Sequence, residues 1–258
     1  MLTLTSTQLY TLIAGFIWPL SRVLGLVASA PLFGNVNIPV RIKISLGVLL
    51  AIIVAPVIPP VPNVDPFSWA GLLIMMQQAV IGLAMGFTMR IVFACIEMAG
   101  ELIGLTMGLG FATFFDPQSE GHSSAIAQFL SLLMLMIYLA ANFHLMLVNA
   151  LVDSFTSMPI GISQLGSGFH QLAVWGAKIF SAGVQLSLPI IAALLINNIA
   201  LGVLTRAAPQ LNLFGIGFPI AIGAGFIMIA ITLPYMAIPI ERLLQEGIST
   251  IQKFGGRQ

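Results

Sequence analysis

The chain has 258 residues, of which 59% are hydrophobic and only 7% are charged. Soluble domains are usually about 45–50% apolar and about 25% charged. Nine Lys and Arg with eight Asp and Glu cannot cover a soluble globule of this size, which excludes a freely soluble monomeric enzyme. A polytopic membrane protein remains, or a chain whose apolar surface is buried by partner subunits. The net charge of +1 provides no basic surface for nucleic acid.

The sequence contains no catalytic, metal-binding or cofactor-binding pattern. The single cysteine, Cys95, lies among apolar residues, which predicts an inert buried thiol rather than a disulfide or a metal ligand. His122, His144 and His170 are far apart and match no metal-binding spacing, and a Walker motif is absent. We therefore expect neither an enzyme nor a bound cofactor.

Uncharged stretches predict long apolar helices. The first 21 residues carry no Lys or Arg, so we expect no cleavable signal there. Crossing a membrane as a helix takes about 20 apolar residues. In chain order, helices are predicted at about 9–33, 44–60, 69–96, 125–151, 172–204 and 213–240, with a shorter apolar piece at 98–115. These segments are too long for buried strands, so the sequence predicts an all-α polytopic membrane protein.

Prolines and glycines modify these helices. Each internal proline removes a backbone donor and kinks or ends its helix, so neighbouring protein must satisfy the freed carbonyl groups. Such prolines are Pro19, Pro56, Pro189, Pro219, Pro234 and Pro239. Small residues spaced by four share one helix face and allow close backbone approach. They occur as Gly82 with Gly86, as Gly100, Gly104 and Gly108, and as Gly217, Ala221 and Gly225. The sequence thus predicts broken, tightly packed helices that are partly shielded from lipid.

The charge bias of the loops gives two conflicting topologies. Arg41 and Lys43 would place the first loop in the cytoplasm. The C-terminal tail, with Arg242, Lys253 and Arg257, would be placed there too. With six spans, the first loop and the C-terminal tail would face opposite sides of the membrane, so they could not both be cytoplasmic. A seventh crossing, a re-entrant 98–115 piece or helices that are not ordinary spans would resolve the conflict, and the sequence leaves these alternatives open.

Two acidic residues interrupt the apolar middle of the chain. Glu97 and Glu101 are four residues apart and therefore share a helix face, with Arg90 about two turns before Glu97. Ionisable groups in such segments usually face a partner or a water-filled cavity. The pair could be a carboxylate catalyst, salt-bridge donors to another subunit, or the exposed face of a helix end.

A glycine- and phenylalanine-rich stretch follows the acids. Gly108, Gly110 and three phenylalanines lead into Asp116-Pro117, a sequence that favours a turn. A mobile apolar segment suits a deformable pore seal, because apolar constrictions close by excluding water. A packed turn between helices explains the same composition equally well.

Short motifs are distributed along nearly the whole chain. The N-terminal part has Arg22, Ala30–Gly34 and Ile38–Lys43. The middle has Gln78–Phe87, Ala99–Gly104, Met107-Gly108, Asp116-Pro117, Ser154-Phe155 and Pro159–Gly161. The C-terminal part has Leu188-Pro189 and the most specific string, Ala200–Phe214. In these motifs the chain resembles the FliR family of flagellar export-gate proteins, whose counterparts in virulence-associated type III secretion are the SctT proteins.

The resemblance implies partners and an architecture. FliR-type chains assemble with FliP-type and FliQ-type subunits into a closed helical export gate in the bacterial inner membrane, at the flagellar basal body. FlhA- and FlhB-type export proteins, exported flagellar proteins and membrane lipid are further expected partners. The chain would be a single domain of bent, broken hydrophobic helical hairpins, with a FliP-like part at about 1–170 and a FliQ-like part at about 171–258.

The resemblance also implies a plug loop after the helix that carries Ala99-Gly100-Glu101, at about Gly108–Asp116. The residues expected in or next to this loop are Met107, Gly108, Gly110, Phe111, Phe114, Phe115 and Asp116. Polar residues outside it are expected to have inter-subunit or structural roles, namely Arg22, Arg90, Glu97, Glu101, Arg206, Gln210 and Asn212. The last three surround Pro209, where we expect a structural turn rather than a substrate contact.

Two other functions remain as alternatives. A secondary transporter of small solutes could use Arg22, Arg90, Glu97 and Glu101 as charges near the membrane midplane. The sequence, however, shows neither the internal repeat nor the coherent charged site that such transporters have. A virulence-type secretion gate subunit is the other alternative. An intramembrane hydrolase needs a nucleophile and a base that the sequence does not supply.

Overall fold

The computed structural model describes residues 6–35, 37–110, 124–161, 165–208 and 217–254. Within these ranges the regular secondary structure is helical and contains no strand. The helices are α1 (Ser6–Ser29), α2 (Val40–Val54), α3 (Trp69–Thr106), α4 (Ala125–Ala140), α5 (Phe143–Ser157), α6 (Leu165–Gly176), α7 (Lys178–Ala207) and α8 (Phe218–Lys253). A short 3-10 helix, Ala55–Val57, continues α2. The predicted all-α class is confirmed.

Five apolar segments in the described ranges are long enough to cross a membrane. They are Tyr10–Ser29, Val40–Val57, Trp69–Thr106, His170–Ala207 and Phe218–Lys253. A sixth arises if α4 and α5, which meet at 66°, count as one broken span. The 38 residues of α3 extend over roughly 57 Å, well beyond the roughly 30 Å of membrane hydrocarbon. The protein is therefore a polytopic membrane protein whose helices include some longer than simple spans.

Several predicted boundaries differ from the observed ones. The separate apolar piece predicted at 98–115 is wrong for its described residues, because 98–106 continue α3 without a break. The predicted 125–151 helix is instead divided between α4 and α5 at Ala141-Asn142, where Asn142 has a φ of 59°. Asparagine tolerates this left-handed conformation better than most residues, which permits the sharp turn.

The internal prolines interrupt fewer helices than the sequence predicts. Pro19, Pro189, Pro234 and Pro239 all lie inside continuous helices. Pro56 lies in the 3-10 turn where α2 ends. One proline removes a single backbone hydrogen bond, and the bonds of the adjacent turns are enough to keep a long helix continuous.

The chain divides into two compact units. Unit 1 comprises residues 1–91, 142–176 and 244–258, and unit 2 comprises 92–141 and 177–243. Helices α3 and α8 contribute residues to both. The division into a FliP-like part and a FliQ-like part near residue 170, which the resemblance implies, stays a prediction.

Unit 1 is built on close contact between α1 and α3. A Cβ on Gly82 would collide with the backbone carbonyl of Arg22, and one on Gly25 would collide with that of Ala79. A Cβ on Gly86 would lie 2.7 Å from the backbone nitrogen of Ala30. The close approach expected from the Gly82 and Gly86 spacing is therefore present. Around it pack fully buried side chains that include Trp18, Leu26, Met85, Met89 and Phe155.

Unit 2 has its own apolar core, formed by the last turns of α3 together with α4, α7 and most of α8. Ile96, Ile103, Leu130 and Met134 are fully buried in it. The rings of Phe93 and Tyr138 meet edge to face, with centroids 5.6 Å apart. Such an arrangement of two rings adds a specific attraction to the burial of their area. This core holds the end of α3 and the start of α4 in place.

Candidate functional site

The carboxylate of Glu101 caps the start of α4. Ser124 is the residue before the first turn of α4, and its Oγ accepts a hydrogen bond from the backbone N–H of Ala127 at 3.2 Å. The backbone N–H of Ser124 itself donates to Glu101 Oε1 at 2.7 Å. A carboxylate is also favoured at a helix N-terminus by the helix dipole. The side chains of Ser124 and Glu101 thus satisfy two of the backbone donors at the start of α4.

Two glycines bring the backbones of α3 and α4 into contact at the same place. A Cβ on Gly100 would lie 2.8 Å from the backbone nitrogen of Ala127 and collide with its Cα. A Cβ on Gly104 would lie 2.9 Å from Ser124 Oγ and 3.2 Å from Ser124 Cβ. The small-residue spacing at Gly100 and Gly104 therefore serves close packing, as predicted. We call this contact of Gly100, Glu101 and Gly104 with Ser124 and Ala127 the α3–α4 stem.

The end of α3 is fixed by Met107 and Gly108. Gly108 has a φ of 86°, a conformation that L-residues other than glycine rarely adopt, and its N–H donates to the carbonyl of Leu105 at 3.0 Å. Met107 is fully buried, and a Cβ on Gly225 of α8 would lie 2.5–2.7 Å from its Cγ, Cε and Sδ. The start of the predicted plug loop is therefore anchored in unit 2.

The remaining plug residues fall mostly outside the described part of the chain. Gly110 is described and is half-buried. Phe111, Phe114, Phe115 and Asp116 lie outside the described residues. Their proposed sealing role stays a prediction.

The two acidic residues of α3 have different surroundings. Glu101 is half-buried and bonded to Ser124, whereas Glu97 is exposed, as is Arg90 in unit 1. Across the described ranges no group of three or more His, Cys, Asp or Glu side chains could hold a metal ion. The single thiol, Cys95, is buried. The environment of Glu101 is that of a helix cap.

Arg22 is buried in unit 1 among neutral groups. Its Nε donates to Gln78 Oε1 at 2.8 Å. One terminal nitrogen donates to the carbonyl and the hydroxyl oxygen of Ser154 at 2.8 and 3.0 Å, and the other donates to the carbonyl of Met158 at 2.8 Å. The guanidinium lies 4.2 Å from the ring centroid of Phe155. Arg22 thus joins α1 to α3 and to the C-terminal end of α5, where a cation is favoured by the helix dipole.

Of the polar residues predicted near the end of α7, only Arg206 lies within the described part of the chain. Arg206 lies in the last turn of α7 and is exposed. Gln210 and Asn212 lie outside the described residues, so the turn predicted around Pro209 stays a prediction.

Large apolar side chains remain exposed on most of the helices, and α2, α7 and α8 carry many of them. They include Leu49, Ile52 and Ile53 of α2, Ile196, Ile199 and Val203 of α7, and Ile227, Ile231 and Ile238 of α8. Within the most apolar 18-residue stretch of each candidate span, the share of residues buried inside the chain is only 17% for the span that contains α2. It is 28% for the span that contains α7 and 22% for α8. Two amides, Gln185 and Asn198, are also exposed in the apolar span of α7. Lipid or other polypeptides must cover the apolar surfaces.

Sequence reasoning identified Glu101, Gly100 and Gly104 but missed their partner Ser124. A weak signal for it was present, because Ser124 directly precedes the apolar run that begins at Ala125, as helix-capping serines do. It also missed Gln78 and Ser154 as partners of Arg22. No local pattern could reveal those contacts, since Ser154 lies 132 positions from Arg22.

The fold defines an all-α membrane protein with broken and overlong helices, and comparison with known sequences gives its family. Residues 13–247 match the family described as bacterial export proteins, family 1. The chain is 43% identical over 248 residues to the flagellar biosynthetic protein FliR of Pectobacterium carotovorum subsp. carotovorum, covering 95% of this chain and 94% of the relative. It is 42% identical over 247 residues to that of Escherichia coli (strain K12), with the same coverage.

A more distant relative, the flagellar biosynthetic protein FliR of Bacillus subtilis (strain 168), is 29% identical over 247 residues, or 93% of this chain and 94% of the relative. The chain therefore belongs to the FliR family of flagellar biosynthetic proteins, as its motifs predicted. It is a membrane-embedded component of the flagellar protein export apparatus, with a structural rather than an enzymatic role.

Proposed function

We propose that this chain forms, with FliP-type and FliQ-type subunits, the pore of the flagellar type III export gate. Unfolded flagellar proteins would pass through this pore in the bacterial inner membrane at the flagellar basal body, with FlhA- and FlhB-type proteins as neighbours. Glu97 and Arg206 are both exposed, and we assign them to the surface that neighbouring subunits contact. Arg22, enclosed in unit 1, has a structural role.

The observation that carries this proposal is the exposure of amides on an apolar helix. Lipid can cover Ile196 or Ile199, but an amide transferred to hydrocarbon without a hydrogen-bond partner loses several kcal/mol, about 4–8 on a cyclohexane scale. Gln185 and Asn198 are exposed within the His170–Ala207 span, and the side-chain nitrogen of Asn197 is buried without a hydrogen-bond partner. Polar groups of neighbouring polypeptides, or water in a conduit, would satisfy the exposed amides of Gln185 and Asn198.

We propose further that the 108–116 segment contributes to closing the pore. Support comes from the described residue that precedes it, because Met107 is buried and lies against Gly225 of α8. The segment thus begins at a fixed point in the apolar core of unit 2. Phe111, Phe114 and Phe115 would supply the apolar seal, since apolar constrictions exclude water and ions.

The test is a deletion of residues 108–116, produced together with the companion subunits. We expect an assembled complex that passes ions or small solutes at rest in a planar bilayer or in vesicles. The Gly223→Ala variant is the matched control, because a Cβ there meets nothing within 4 Å. A deletion variant that assembles normally and leaks no more than the parent would rule out the closing role.

The transporter alternative has less support in the described residues. Arg22, one of its four candidate charges, already uses four donor contacts inside unit 1 and so offers little to a solute. Solute uptake into vesicles that contain this chain alone would favour a transporter. A virulence-type gate would use the same pore architecture with another cargo.

A further inference from the structure

We propose that the exposed side of α8 docks against a helix of a companion subunit, and that a polar side chain of this helix donates a hydrogen bond to the backbone carbonyl of Ala230. The inference rests on the assembly proposed above, and it adds the atoms at which a companion is held. A second carbonyl, that of Tyr235, belongs to the same surface. Both carbonyls lie within unit 2.

Two prolines inside α8 remove the usual donors to these carbonyls. In an α-helix, the carbonyl of each residue accepts from the backbone N–H four residues later. Pro234 and Pro239 lie inside α8 and have no backbone N–H. The carbonyls of Ala230 and Tyr235, four positions before them, therefore lack this donor. Each needs another partner, because a polar group that is removed from water without a hydrogen bond is costly.

The described side chains do not supply the missing donors. Thr232 has the hydroxyl that lies closest in sequence to Ala230, and its Oγ1 donates to the carbonyls of Met228 and Ile229 at 2.7 and 3.2 Å. Within the described residues no side chain donates to the carbonyl of Ala230 or Tyr235. Both of these residues are exposed, as are the two prolines. A donor can therefore reach the carbonyls from outside the chain.

Lipid cannot supply this donor at the position of Ala230. The chain has no charged residue between Arg206 and Glu241, and α8 begins at Phe218. At 1.5 Å per residue, Ala230 lies about 16–18 Å from Phe218 and from Glu241 along the helix. This distance exceeds half of the roughly 30 Å of membrane hydrocarbon. Head groups are out of reach there, and acyl chains have no hydrogen-bond donor.

The side chains around Ala230 also favour a polypeptide over water. Phe226, Ile227, Ile231 and Tyr235 are large, and each is more than half exposed. A wall of such side chains excludes water rather than holding it. A packed helix covers them and can bring a polar group to the carbonyls at the same time. Serine, threonine, asparagine and glutamine make such bonds between helices in membranes. The surface therefore fits an apolar helix that carries one or two of these residues.

The first experiment restores the missing N–H groups. Pro234→Ala supplies a donor to the carbonyl of Ala230 from within α8, and Pro239→Ala does the same for Tyr235. A carbonyl that is bonded inside its own helix offers less to a companion subunit. Pro219→Ala is the matched control, because Pro219 is exposed and lies in the first turn of α8, where an N–H has no partner within the helix.

The variants are made in the full chain and produced together with the FliP-type and FliQ-type subunits. The measurement is the amount of companion subunit retained per chain after purification in detergent. We expect Pro234→Ala to retain several-fold less companion than Pro219→Ala. The loss should be smaller for Pro239→Ala, because the carbonyl of Tyr235 lies closer to the charged end of α8.

A photo-cross-link identifies the occupant independently of any change in the bend of α8. Tyr235 is 75% exposed and is replaced by p-benzoyl-phenylalanine, which keeps an aromatic ring at this position. The purified complex is irradiated, and the cross-linked peptides are identified by mass spectrometry. We expect a cross-link to a companion subunit at a site within one helical turn of a serine, threonine, asparagine or glutamine.

Two results would overturn the inference. Equal retention by Pro234→Ala and Pro219→Ala would show that no companion bonds the carbonyl of Ala230. A probe in place of Tyr235 that labels only lipid or detergent, or a companion site without a nearby donor, would assign the surface to another occupant. In both cases the parent chain still retains its companions, so the proposed assembly stands. A parent chain that retains no companion contradicts the assembly and this inference with it.

Discussion

Arg22 and Gln78 form a hydrogen bond 2.8 Å long between two fully buried side chains, the guanidinium Nε on α1 and the amide oxygen on α3. The contact lies beside Gly82, where a Cβ would collide with the carbonyl of Arg22. The glycine thus allows α3 to approach α1 closely, and the charged side chain gives that approach a fixed register. A buried cation with only neutral partners depends on all of its hydrogen bonds, because few other groups are available to stabilise it.

Arg22→Lys should therefore destabilise the protein although it keeps the charge. A lysine ammonium cannot reproduce the planar fork that reaches Gln78, Ser154 and Met158 together, so at least one buried acceptor loses its partner. Losing hydrogen bonds to a charged group costs about 1.5–3 kcal/mol. The change should appear as a lower midpoint of thermal unfolding for the detergent-purified complex. Arg90→Lys is the control, since Arg90 is exposed. Equal midpoints for the two variants would contradict the role of the fork.

Gly225→Ala should strain the anchor of Met107, whereas Gly223→Ala should not. A Cβ at 225 would overlap the Met107 side chain, and a Cβ at 223 meets nothing within 4 Å. Overpacking of this kind costs about 1–3 kcal/mol. Shortening the partner in Gly225→Ala with Met107→Ala should relieve the clash, so the loss in the double variant should be smaller than the sum of the single losses. Thermal unfolding measures all four proteins, and strict additivity would show that Met107 does not occupy this space.

Asn198→Leu should weaken assembly with the companion subunits. If the exposed Asn198 side chain bonds a neighbouring polypeptide, leucine removes the bond and leaves the neighbour's polar group unsatisfied, at about 1–3 kcal/mol. Ile199→Leu is the control, because it exchanges one exposed apolar side chain for another on the same helix. The measurement is the amount of companion subunit retained after purification. A lipid-facing position would give the opposite outcome, with Asn198→Leu as stable as the parent or more so.

Much of this structure follows from local patterns in the sequence, and the exceptions have physical causes. Apolar length predicted the helical class, and the spacing of Gly100 and Gly104 predicted their close contact, because both depend only on helix geometry. The length of α3 was underestimated because the sequence prediction took Glu97 as the boundary between two apolar pieces, with Glu101 inside the second. One of these acids is exposed and the other caps α4, so the helix continues through both.

The break between α4 and α5 and the partners of Arg22 could not be predicted. The break occurs at Ala141-Asn142 without a glycine or proline, and only the tolerance of asparagine for positive φ hints at it. Arg22 was identifiable as an isolated charge in an apolar helix. Its acceptors on α3 and α5 are selected by tertiary packing, which no spacing rule describes.

The central claim is that the exposed faces of α2, α7 and α8 are covered by other polypeptides of an export gate. Purification of this chain in mild detergent, alone and together with FliP-type and FliQ-type subunits, followed by the mass of each particle, tests it most directly. We predict a hetero-oligomer of defined composition when the three are produced together, and an aggregated or rapidly degraded chain when it is produced alone. A monodisperse single chain, stable without companions and forming no complex when they are present, would contradict the claim.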